Sequence, residues 1–175
     1  MCIRDRDGGE VVLIETPYDE EIIILQREIN GTVIPYGSKQ LQKRTEGKTK
    51  QLSEVAAAAP AQASEMASYL NKRSKATSEA VTGAGDLVAD VAAGRSSFST
   101  IKDEDLPDNL RAMRPEQRAD EVNKQMNQRK ALNEKLSALV AKRDKYVADQ
   151  RAKAPPKASS FDRVVEDTLK AQIKR

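Results

Sequence analysis

Histidine and tryptophan are both absent from the 175-residue chain, and cysteine occurs once, at Cys2. Each absence excludes chemistry. Without histidine there is no imidazole base, no imidazole metal ligand and no Ser-His-Asp triad. One cysteine excludes an internal disulfide and a CxxC metal site. Aromatic residues make up only 3% of the chain, so the rings that supply much of an ordinary core are scarce. No apolar run approaches the ~18 residues that a membrane span needs. The start, MCIRDRDGGE, lacks the apolar stretch of a signal peptide. No Ser, Thr or Cys has a recognisable partner base, so no catalytic, cofactor-binding or metal residue is assigned and the chain is read as a non-enzyme.

What is abundant is charge. Asp, Glu, Lys and Arg make up 33%, and 30 basic residues against 27 acidic ones leave a net +3. With Ala and Gln also frequent, this is the profile of long exposed helices. The signs are mixed along the chain, which argues against a nucleic-acid partner.

Residues 1–9 read as a disordered or non-native start. Residues 10–37 differ from all that follows. Glu10–Glu15 holds the apolar run Val11-Val-Leu-Ile14, suited to a strand buried on both faces. Thr16-Pro17-Tyr18-Asp19 then spells a helix start, with Thr16 as N-cap, Pro17 in the first position and Asp19 at capping-box spacing. Asn30-Gly31 is expected to end that helix with a left-handed glycine, and Thr32-Val-Ile34 reads as a second strand. The unit predicted is a parallel β-α-β. Two strands do not make a stable parallel sheet, so 10–37 is expected to be the C-terminal edge of a larger doubly wound α/β domain. On that reading the chain self-associates through this edge, whereas one beginning near Ser38 is soluble and helical.

The remainder predicts helices, so the fold class expected is mainly α, long charged helices following a small β-α-β remnant. Residues 38–83 form a helical segment kinked near Pro60 and interrupted at Gly47. Residues 84–113 hold a short helix around Leu87, Val88 and Val91, followed by a loop. Residues 114–154 form one long charged helix opened by Pro115. Leu132, Leu136, Leu139 and Tyr146 make a stripe on it that Arg143 interrupts, with Arg129 in a neighbouring slot. Residues 155–175 supply a linker and a last helix carrying Phe161, Val164, Val165 and Leu169.

Several motifs invite sharper readings. Gly83-Ala84-Gly85 lacks the third glycine and the preceding strand of a dinucleotide fingerprint, and reads as a hinge. Asn30-Gly31-Thr32 matches a glycosylation acceptor but sits at a helix end. Asp103, Glu104, Asp105 and Asp108 do not have EF-hand spacing and read as a solvated acidic loop. Residues 38–81 carry eight basic side chains against four acidic ones. These are Lys39, Lys43, Arg44, Lys48, Lys50, Lys72, Arg73 and Lys75, with Tyr69 the one aromatic among them, and they read as a solvated face rather than a phosphate track.

Two resemblances add to this. MCIRDR is similar to a recurrent start of metagenomic reading frames and is expected to be an artefact, leaving Cys2 non-native. Val11–Gly37 resembles the end of the von Willebrand factor A (VWA) domain in a group of bacterial proteins. Gly85-Asp86-Leu87-Val88, Asp105-Leu106-Pro107, Pro115-Glu116-Gln117-Arg118 and the long helix extend the likeness over most of residues 10–175. The resemblance implies a doubly wound parent domain that binds Mg²⁺ and serves adhesion or ligand binding in the periplasm or after secretion. The family's D-x-S-x-S metal motif occurs nowhere in the chain. The expectation is therefore a non-enzymatic fragment of a VWA-domain protein whose metal site lies upstream. Its partner would be another protein or the missing part of its own VWA domain. The alternative is a basic helical module for nucleic acid or another polyanion.

Overall fold

A computed structural model describes residues 3–4, 10–11, 13–77, 83–97 and 100–153. The protein is mainly helical. A two-residue antiparallel pair, β1 (Ile3–Arg4) with β2 (Glu10–Val11), precedes α1 (Asp19–Gly31), α2 (Lys39–Ala58), α3 (Pro60–Thr77), α4 (Leu87–Ala92), α5 (Asp108–Arg111) and α6 (Pro115–Lys153). The last helix predicted from the sequence, in 155–175, lies outside the described residues.

At 39 residues, and about 1.5 Å rise per residue, α6 is the spine. Its two halves serve two apolar clusters. In the first, Leu132, Leu136, Leu139 and Val140 of α6 pack on Ile22, Leu25 and Ile29 of α1 and Ala67 of α3. In the second, Val122 of α6 packs on Leu87 and Val88 of α4, Leu106, and Leu110 of α5, with Ile34, Tyr36 and Met126 against them. Small residues on α3 let the helices approach, since Ala63, Ser64, Ala67 and Ser68 are all buried.

The parallel β-α-β expected over 11–34 does not form. Val11 pairs antiparallel with Ile3, and residues 13–16 and 33–34 lie outside any strand. The reason is visible around Ile34. Its carbonyl accepts from the Leu87 amide at 2.9 Å, and the Tyr36 amide donates to the Gly85 carbonyl at 3.1 Å. This stretch pairs with the loop before α4 through an isolated antiparallel bridge between Pro35 and Asp86. The helix between the expected strands covers no sheet. It enters the bundle instead.

Local signals explain the helix ends, with shifts. Thr16 and Asp19 satisfy one another as the capping spacing requires. The Asp19 carboxylate accepts from the Thr16 amide at 2.8 Å and the Thr16 hydroxyl at 2.7 Å. The helix nevertheless begins at Asp19, after a turn at Pro17-Tyr18. Gly31 stays inside it and takes no positive φ, so the expected left-handed cap is replaced by Thr32, whose hydroxyl donates to the Ile29 carbonyl at 2.6 Å. Pro60 separates α2 from α3 as its missing N–H requires. Gly47 does not interrupt α2. It stands exposed with nothing within 4 Å of where a Cβ would sit, and costs the helix roughly 0.5–1 kcal/mol relative to alanine. The stretch 95–113 holds more order than a loop, a 3-10 turn at Asp103–Asp105 and then α5.

Gly85 is fixed by space as well as by its φ of +99°. An added Cβ would lie 2.6 Å from Thr45 Oγ1 and 2.9 Å from Leu41 Cγ. The hinge expected at Gly83–Gly85 is thus, at Gly85, a packed crossing against α2.

Candidate functional site

The polar groups drawn together by the fold lie along α6. Arg129 and Arg143 stand two heptads apart and so on nearly the same face as the leucines. Arg143 is 3% exposed, and its Nε donates to Asp19 Oδ1 at 2.9 Å while Nη1 donates to Glu65 Oε2 at 2.7 Å. Arg129 donates from Nη1 and Nη2 to the two Asp86 oxygens at 2.6 and 3.3 Å, and from Nε to Thr32 Oγ1 at 2.6 Å. Asp86 is 2% exposed, so this forked pair is largely desolvated. Arg143, which interrupts the leucine stripe on paper, is a buried fastener in the fold, and the partly buried Arg129 is a second.

A third network sits by the second cluster. The Tyr36 hydroxyl donates to Asp90 Oδ2 at 2.7 Å and shares a 2.7 Å hydrogen bond with Ser96 Oγ. Arg95 Nε donates to Asp90 Oδ1 at 2.8 Å.

The titrations move away from neutrality. For Asp19, burial raises the pKa. That is outweighed by the Thr16 amide, by Ser64 (whose buried Oγ has no hydrogen bond of good geometry), by the Thr16 hydroxyl and by Arg143, so the carboxyl titrates below its ordinary range. Burial works against the Arg143 cation too, but its bonds to Asp19 and Glu65 and their charge push its pKa up. Burial raises the Tyr36 hydroxyl, offset by the bond with Ser96 and reinforced by Asp90. A general acid or base working near neutral pH needs the opposite tuning.

A pH dependence follows. Asp19 has its folded pKa depressed, so its contribution is present above the ordinary carboxyl value of 3.8 and disappears as pH falls through the lower folded value. Wild type should therefore melt above Asp19→Asn at pH 7, with the gap closing below about pH 4. Thermal melts of both proteins across that range check it; a gap that widens on acidification would contradict the assignment.

The acidic stretch is tied to cations. Asp103 meets Arg118 at 2.6 Å, Glu104 meets Lys102 at 3.4 Å, and Asp108 meets Lys39 and Arg111, each at 3.4 Å. Among the described residues, no group of three or more His, Cys, Asp and Glu side chains is placed to hold a metal ion. None of the described helices is long and apolar enough to cross a membrane. One depression lies between α1, α2 and α3, and another lies on α2. The first, lined by Ile23, Leu52, Ala63, Met66 and Leu70 among others, holds only about 30 Å³. The other is a shallow hollow of about 470 Å³ lined by Arg44, Gly47, Lys48, Lys50, Gln51 and Glu54.

No family model, curated protein or solved structure matches this chain.

Sequence reasoning missed Arg129 and Arg143 as site builders. Their acidic partners lie 43 and 124 residues away, so no local spacing announces the pairs. The one available signal is an arginine at a core position of an apolar stripe, which demands a buried partner.

Proposed function

We propose that the chain is the non-enzymatic helical part of a bacterial VWA-domain protein, acting by protein binding, with the parent's metal site upstream. The observation that supports this is convergence. The segments on which the resemblance rests meet along or beside one helix: Asp19 at Arg143, Thr32 and Asp86 at Arg129, and Leu106 beside Val122. Gly37 joins them by donating its amide to the Asp105 carbonyl at 2.8 Å. These motifs thus have work in a helical unit. The buried charges pair with one another, Arg143 with Asp19 and Arg129 with Asp86, the arrangement of a scaffold. No residue of this chain is assigned to the parent's Mg²⁺, because the D-x-S-x-S motif is missing and Asp103, Glu104 and Asp108 are engaged with Lys and Arg.

Resequencing the gene across its 5′ end, with magnesium calorimetry on both lengths of protein, tests the reading. The expected result is an open frame continuing upstream into a D-x-S-x-S strand, with one stoichiometric Mg²⁺ site in the longer protein and none in the 175-residue chain. A stop codon directly upstream, or a stoichiometric site in the short chain, would sink it.

A further inference from the structure

Nothing among the described residues accounts for Gly47. It sits mid-helix at an exposed position, with open space where a side chain would project, and helices disfavour such a glycine. A missing Cβ lets another backbone come close. Gly47 also floors the shallow hollow whose walls carry Arg44, Lys48 and Lys50, with Gln51 and Glu54 at its far end. Lys43, one turn before Gly47, is likewise exposed.

We propose that this face of α2 is a docking surface for an acidic segment of a protein partner, whose main chain crosses the helix over Gly47. The proposal rests on the protein-binding reading above and adds the surface and the partner's charge. Charge complementarity selects the occupant. Cations flank the notch on both sides along the helix, so carboxylates are attracted at either end of the crossing. Glu54 makes the face mixed in sign, held only loosely by Lys50 at 3.9 Å. A polypeptide can place a basic residue against Glu54. A nucleic acid has only phosphates to offer there, and the face has no aromatic side chain on which a base could stack.

The test uses a fluorescein-labelled helical peptide of glutamate and alanine with one lysine near its end, followed by fluorescence anisotropy at low salt. Wild type should bind it. Gly47→Leu, which fills the notch, should weaken binding at least about tenfold. The same substitution improves helix propensity, and its Cβ meets nothing within 4 Å, so the melting temperature should hold or rise. That separates a blocked surface from a damaged fold. Lys50→Glu should weaken binding similarly and flatten its salt dependence. Peptide binding that Gly47→Leu leaves unchanged would overturn the surface while leaving the protein-binding reading intact. Duplex DNA that outcompetes the peptide would overturn both.

Discussion

Removal of residues 1–37 should unfold the first half of the bundle. This reverses the expectation from sequence that a chain beginning near Ser38 is the soluble part and that 10–37 is a sticky edge. Helix α1 contributes Ile22, Leu25 and Ile29 to a cluster whose other buried members are Ala67 and four residues of α6. Burying each such side chain is worth about 1.5–3 kcal/mol, or roughly 5–9 kcal/mol for the three. Domains of this size are stable by only about 5–15 kcal/mol. The deletion also leaves the buried Arg143 without Asp19. Circular dichroism should show lost helicity and a broad, non-cooperative melt for the shortened chain, against a cooperative melt of a monomeric full chain in light scattering. A shortened chain that melts cooperatively at the wild-type temperature would mean that α1 is dispensable.

The second large effect is expected at Arg143. Substitution by methionine keeps much of the volume and removes the charge, stranding Asp19 in a site where it is 6% exposed. Breaking one partner of a buried pair costs about 3–5 kcal/mol. Glu65 contributes less, because its side chain is 60% exposed and water replaces its partner. The double variant Asp19→Leu, Arg143→Met should recover a large part of the loss, since no lone charge remains, although the Thr16 amide forfeits its acceptor. Urea denaturation of the four proteins gives the coupling directly. A cost below about 1 kcal/mol for Arg143→Met would show the pair to be incidental.

Those two expectations mark where sequence and fold part company. The capping pair Thr16 and Asp19, the break at Pro60 and the start of α6 at Pro115 are legible because each acts on its own neighbours through φ restriction or a nearby hydrogen bond. The strands are not legible, because Val11–Ile14 and Thr32–Ile34 have strand-like composition while strandedness depends on what lies alongside. Beside Ile34 lies the Gly85–Leu87 loop, whose backbone takes up the available bonds. The arginines are not legible for the same reason in another form. An arginine among leucines reads as a fault until a carboxylate far along the chain is known to reach it. The hollow around Gly47 is legible only in part. Its cations are plain in the sequence and its glycine reads there as a helix break, whereas the open space above it is a property of the fold.

Among the described elements, helix α6 alone has residues in both apolar clusters. Backbone amides between Val122 and Val140 can therefore exchange with solvent only when one cluster or the other opens, whereas α5 and the turns past Tyr146 can open alone. Deuterium uptake should rise in steps outward from the middle of the helix rather than evenly along it. The step near Arg129 would then mark the boundary between two cooperative opening units that share a single rod.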